Sequence, residues 1–104
     1  MLKIVEGEVK SMAVKKVSGE KRGEVMLYAL STCVWCKKTK ALLEDMKVEF
    51  HYMDVDLLDK EERATVMDEI RKWNPACSFP SLVIDNSRCI VGYDEKKIRE
   101  TLNL

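Results

Sequence analysis

The chain is poor in residues that interrupt regular structure. It has two prolines and four glycines in 104 residues, with no visible repeat or low-complexity tract. Beside 46% hydrophobic residues, that scarcity argues against disorder over most of the length. Excess charge is also missing: 18 Lys and Arg balance 18 Asp and Glu, and there is no long basic block. Nucleic acid and anionic membrane surfaces are therefore not expected as partners. No apolar run approaches the length of a membrane span. The opening "MLKIVEGEVKSMAVKK" lacks the continuous apolar stretch of a secretory signal. These absences lead to the expectation of a cytoplasmic protein. There is one histidine, His51, which reads as a surface strand residue rather than a catalytic base.

The length fits one domain with an ordinary small core. Residues 1–23 differ from the rest. Leu2, Ile4, Val9, Met12, Val14 and Val17 alternate loosely around a turn at Glu6-Gly7-Glu8, which reads as a short β-hairpin. "SGEKRG" then forms a polar connector. This extension precedes a domain spanning 24–104.

In the domain, "VMLYAL" from Val25 reads as a buried strand. Trp35, Thr39, Leu42, Leu43 and Met46 fall at helical spacing, giving a helix from Val34 to Met46. "VEFHYMDV" from Val48 alternates as a second strand. Residues 59–73 form a charged helix with Val66, Met67, Ile70 and Trp73 on its core face, stopped by Asn74-Pro75. "SLVI" and "RCIV" are two more strands, joined by a turn at Asp85-Asn86-Ser87. Gly92 breaks the last strand, and Asp94 caps a final helix with Ile98 and Leu102 on its apolar side. The order β-α-β-α-β-β-α implies a parallel right-handed crossover followed by an antiparallel hairpin. The fold class is α/β, a mixed four-stranded sheet flanked by three helices, plus the N-terminal β extension.

What the chain does have is cysteine. Of four, Cys33 and Cys36 form a CxxC motif at the junction of the first strand and helix. Unpaired N–H groups and a positive dipole end meet there, so a thiolate at Cys33 is expected to be stabilised. Lys37 and Lys38 add positive potential. Cys36, one turn further on, is placed to close a disulfide with Cys33. In a cytosol that keeps thiols reduced, such a pair is catalytic or metal-binding rather than a structural clip. The alternative class is therefore a metal-binding module, with Cys33 and Cys36 as ligands of an iron–sulfur cluster or zinc. Cys77 and Cys89 do not make a second CxxC. Cys77 reads as loop filler, with a third redox thiol as the other reading, and Cys89 as a core residue.

"CVWC" between strand and helix, "SFPSLVI" further on and "CIVGYDEKKIRETL" at the end together resemble a glutaredoxin, over Val25 to Leu104. The resemblance implies a thioredoxin-like fold and dithiol–disulfide exchange with protein disulfides. It makes Cys33 the nucleophile, Cys36 the resolving cysteine and Pro80 the family's cis-proline. Phe79 matches the residue whose backbone holds the substrate. Gly92, Tyr93 and Asp94 fall in the turn after the last strand, and Trp35 reads as a rim platform for partner proteins. Its redox group would be the cysteine pair itself, with no separate cofactor and no resident metal, in a monomer. Three departures stand out. The middle pair is Val34-Trp35 instead of Pro-Tyr, Leu30 occupies the place of a glutathione-binding lysine, and Gly92-Tyr93 replaces Gly-Gly. They put glutathione in question as cosubstrate. The Gly-aromatic turn resembles that of glutaredoxin-like redoxins that draw electrons from thioredoxin reductase; a ferredoxin-dependent reductase is the other protein donor considered.

Overall fold

The structure is a computed structural model that describes residues 14–104. The hairpin turn at Glu6-Gly7-Glu8 and most of the expected hairpin lie outside those residues. The elements are β1 (Lys15–Val17), β2 (Val25–Ala29), α1 (Val34–Asp45), β3 (Phe50–Asp54), a 3-10 turn (Val55–Leu57), α2 (Lys60–Trp73), β4 (Ser81–Ile84), β5 (Arg88–Val91) and α3 (Glu95–Thr101). The sheet order is β1-β3-β2-β4-β5. Strand β2 runs parallel to β3 and antiparallel to β4, and β5 closes the hairpin with β4.

The four expected strands are present, and the extension adds a fifth. Strand β1 pairs antiparallel with the outer side of β3, Lys16 opposite His51. The connector is also tied down. Glu20 N–H donates to the Lys47 carbonyl at 2.7 Å, and Glu49 N–H to the Glu20 carbonyl at 2.9 Å. Gly19 permits this approach, since a Cβ there would lie 2.6 Å from the Val48 carbonyl carbon.

Side-chain alternation splits the interior into two layers. Val25, Leu27 and Ala29 of β2, Phe50 of β3, Leu82 and Ile84 of β4 and Ile90 of β5 meet Cys36, Leu42 and Leu43 of α1 and Ile98 of α3. On the other face Tyr28, Met53 and Val83 meet Val66 and Ile70 of α2. Leu27 is wholly buried at the centre of the first layer, and its truncation to alanine would cost about 2–5 kcal/mol. Cys89 and Trp73 pack against the second layer from partly buried positions rather than inside it. Trp73 ends α2, where the helix emerges from the layer. His51 is partly buried in β3, between β1 and β2.

The helix and hairpin ends follow local rules. Asp59 caps α2 by accepting the Glu62 N–H at 2.8 Å, with Glu61 and Glu62 in the first turn and Arg71 and Lys72 in the last. The β4–β5 turn places Asp85 and Asn86 at φ 56° and 51°. These are residue types that tolerate the left-handed conformation a tight hairpin requires.

Candidate active site

The site lies where β2 ends. The chain leaves Ala29, turns through Leu30-Ser31-Thr32 and enters α1 with Cys33 as its cap. Cys33 N–H donates to the Leu30 carbonyl at 3.2 Å, and Lys37 N–H to the Cys33 carbonyl at 3.0 Å. Asp56, just after β3, clasps the turn from outside. Its carboxylate accepts the Ser31 N–H at 2.8 Å and the Ser31 hydroxyl at 2.6 Å. Those two bonds, the hydroxyl first, hold the Asp56 carboxyl below its ordinary value.

The two thiols are placed unequally. Cys33 is partly exposed and its Sγ accepts the Cys36 N–H at 3.2 Å. Cys36 is fully buried in the first layer. Burial, and then the hydrogen bond with Cys33, push its thiol from an ordinary 9.0 to about 12. One thiol is thus presented at a helix start, and the other is stored protonated one turn behind it.

Sheet register brings the remaining residues to the same end. Tyr28 of β2 pairs with Ser81 of β4, so Pro80 stands at the end of the sheet from which Cys33 departs. The Phe79-Pro80 peptide is cis, as the resemblance implies, and Pro80 is buried. Phe79 packs against both layers. Gly92, which follows β5, donates its N–H to the Pro80 carbonyl at 2.8 Å. Gly92 adopts φ +82°, a conformation that side chains resist. Tyr93 then stacks on Trp35, ring centroids 5.8 Å apart and planes at 30°. Lys38 lies over the Trp35 ring at 5.5 Å. Trp35 is 55% exposed and Val34 62%, so the rim beside Cys33 is apolar. Asp94 accepts the Lys97 N–H at 3.1 Å and caps α3. Cys33, Cys36, Trp35, Phe79, Pro80, Gly92, Tyr93 and Asp94 thus come together at one end of the sheet.

Cys77 and Cys89 fall outside this group. Both pack against the α2 layer, whereas Cys33 and Cys36 belong to the opposite one. Cys77 adopts φ 53° and directs its Sγ to the Met67 carbonyl at 3.6 Å. Burial pushes the Cys89 thiol upward. Among the described residues, no group of three or more His, Cys, Asp or Glu is arranged to hold a metal ion. No helix among them is long and apolar enough to cross a membrane.

Sequence reasoning missed three supports of the site. Asp56 and Ser31 are one. Asn74 is the second: it is buried, with its amide nitrogen 3.2, 3.0 and 3.1 Å from the Ser78 carbonyl, Ser78 hydroxyl and Ser81 hydroxyl. This ties the segment leading to Pro80. Lys40 is the third, bonded to Asp54 at 3.1 Å. The signal for Lys40 was its spacing, four residues after Cys36; Asp56 and Asn74 gave none.

A parallel β-α-β unit, an antiparallel hairpin and a closing helix, with a CxxC at the first helix start, define a thioredoxin-like fold. The chain belongs to the glutaredoxin family, whose family model matches residues 25–89. It is 49% identical to a glutaredoxin of Methanosarcina mazei Go1, with TM-score 0.83 over 88% of this chain and 89% of that one. It is 47% identical to the methanoredoxin of Methanosarcina acetivorans, with TM-score 0.84 over 86% of this chain and 96% of that one. An uncharacterised glutaredoxin-like protein from the rubredoxin operon of Clostridium pasteurianum is 31% identical over 71% of this chain and 91% of its own length. The membership supports a thiol–disulfide oxidoreductase activity.

Proposed function

We propose that the protein reduces protein disulfides through Cys33 and Cys36 and is itself recharged by a protein reductase rather than by glutathione. The observation that carries this reading is the asymmetry of the pair: a partly exposed Cys33 Sγ accepting the N–H of a fully buried Cys36. The Cys33 thiolate attacks a substrate sulfur, forming a Cys33–substrate disulfide and releasing one thiol. Cys36 then attacks Cys33 Sγ, the substrate sulfur leaves as a thiol, and a Cys33–Cys36 disulfide remains. Two electrons pass from the dithiol to the substrate. A reductase restores the dithiol, either a thioredoxin reductase or a ferredoxin-dependent enzyme. A reducing compartment such as the cytosol suits this cycle.

Leu30 and Tyr93 support the choice of donor. Neither supplies charge for a glutathione carboxylate, and Tyr93 adds a ring beside the turn at Gly92. The test is reduction of a protein disulfide such as that of insulin, with glutathione, a thioredoxin reductase system and a ferredoxin-dependent system supplied in turn. Turnover with a protein reductase and little with glutathione is expected. Brisk turnover with glutathione alone would overturn the choice of donor, and no turnover with any donor would overturn the activity.

A further inference from the structure

We propose that Asn74 is a positioning residue for substrate: its buried amide clamps the two residues that flank Phe79-Pro80 and so holds the Phe79 backbone ready to pair with an extended peptide segment that carries the target disulfide. This rests on the dithiol reading above and deepens it, naming the main chain around the disulfide as what is recognised.

Among the described residues three polar side chains are buried, Thr39, Asn74 and Ser81. Thr39 bonds within its own helix, to the Trp35 carbonyl. The other two bond to each other. The Asn74 amide nitrogen faces the Ser78 carbonyl, the Ser78 hydroxyl and the Ser81 hydroxyl, and the Ser81 hydroxyl donates to the Ser78 carbonyl at 2.7 Å. The Ala76 N–H donates to Asn74 Oδ1 at 3.2 Å, which fixes the way round the amide sits. The Asn74 main chain is anchored as well. Its N–H donates to the Ile70 carbonyl at 2.7 Å at the end of α2, and its carbonyl accepts the Cys77 N–H at 2.8 Å. One residue thus links a helix end to both sides of Phe79-Pro80.

A helix end needs only a cap, and Asn74 supplies more than that. Each of its side-chain donor contacts falls on Ser78 or Ser81. The Pro80 carbonyl is taken by the Gly92 N–H. None of these bonds uses the N–H or the carbonyl of Phe79. The pairing of β2 with β4 ends at Tyr28 and Ser81, so Phe79 carries the line of β4 past its last strand partner, at the end of the sheet where α1 begins. Phe79 and Cys33 pack against the same layer. A peptide joined to Cys33 can therefore lay its main chain along Phe79 by strand addition. Main-chain pairing reads no particular side chain, so it suits varied targets and demands an extended segment. A buried amide with its hydrogen bonds made keeps this edge in one position before substrate arrives, so less order has to be imposed on binding.

The test uses the full chain, reduced, and a short peptide whose single cysteine is disulfide-bonded to a coloured aromatic thiol, well below saturation. Cys33 gives up its proton and attacks the peptide sulfur. The Cys33–peptide S–S bond forms, the peptide–aryl S–S bond breaks, and the coloured thiolate leaves with the electron pair. The colour release that Cys33→Ser lacks is followed. Companion peptides carry an ester in place of one of the amides flanking the cysteine, which removes one main-chain donor. In the parent, at least one ester should slow release by roughly two- to tenfold, the worth of one hydrogen bond. In Asn74→Ala the amide and ester peptides should react at nearly the same rate. Ser81→Ala, which leaves the Ser78 contacts in place, should narrow the difference part of the way. A merely structural role would lower the melting temperature and leave the ratio of the two rates as in the parent. Equal rates for amide and ester peptides in the parent overturn the inference, and so does an unchanged ratio in folded Asn74→Ala. If Asn74→Ala does not fold, an unchanged ratio in Ser81→Ala overturns it. Failure of the parent to release colour from any peptide overturns the dithiol reading, and the inference with it.

Discussion

Trp35 and Tyr93 stack with ring centroids 5.8 Å apart, joining the loop between the cysteines to the turn after β5. With Val34, they give the thiol an apolar, half-exposed border. A folded partner can bury that border, whereas a small disulfide cannot. An aromatic pair of this kind is worth about 0.5–1.5 kcal/mol beyond its area. Trp35→Ala should therefore slow reduction of a protein disulfide by about two- to tenfold while leaving a small aromatic disulfide nearly unaffected. Equal losses toward both substrates would mean that Trp35 shapes Cys33 rather than the docking surface.

The donor can be switched at Leu30. A charged hydrogen bond contributes about 1.5–3 kcal/mol, or roughly ten- to a hundredfold in binding. Leu30→Lys should raise the glutathione-dependent rate toward that range and leave the reductase-driven rate nearly unchanged. The Leu30 carbonyl accepts the Cys33 N–H and its backbone also bonds toward Cys36, contacts that a lysine backbone keeps; the half-buried Leu30 side chain packs against the α2 layer, so the lysine would have to carry its ammonium outward from there. No gain with glutathione would show that the lysine is not what this chain lacks.

Much of this could be read from the residues. Strands β2 to β5 and the three helices follow from local patterns: apolar runs, alternation, caps and a breaker. The gathering of Pro80 and Gly92 beside Cys33 is legible only through the glutaredoxin resemblance. The misses are long-range. The β character of the extension is legible in its alternation, but the pairing of its strand β1 with β3, more than thirty positions away, is not. Asp56 carries no local signal, because its partner Ser31 stands twenty-five positions earlier and only the fold brings the two together. Lys40 was visible at helical spacing from Cys36, but its partner Asp54 became visible only through the β2–β3 register.

The Asp56 clasp gives an acid-side test. Its carboxyl is held below the ordinary 3.8 by the Ser31 hydroxyl and N–H. A lowered folded-state value means that the contribution is complete above the unfolded value and is lost as pH falls through the folded one. Asp56 is largely solvent-exposed, so the effect is modest, about 0.5–1 kcal/mol after screening. Asp56→Asn should lower stability by that amount at neutral pH and flatten the acid limb of the stability curve. Exchange of the Ser31 amide with solvent should also quicken. If the amide stays protected, the turn before Cys33 is held by something other than this carboxylate.

The alkaline side tests the burial of Cys36. Its thiol titrates near 12 in the folded protein against an ordinary 9.0. Below about pH 9 both states keep the proton, and the contribution of Cys36 to stability is complete. Between about 9 and 12 the unfolded chain loses the proton while the folded one keeps it, so stability falls as pH rises, by at most about 1.4 kcal/mol per unit. Other groups also lose protons on the alkaline side, so the measurement is a difference. Denaturant unfolding of the parent and of Cys36→Ala should give curves that converge as pH increases from about 8 to about 11, with the parent showing the steeper decline. The same protonation should leave Cys36 slow to alkylate at neutral pH while the partly exposed Cys33 reacts. Parallel stability curves, or alkylation of Cys36 before Cys33, would place the buried proton elsewhere and reverse the roles assigned to the two thiols.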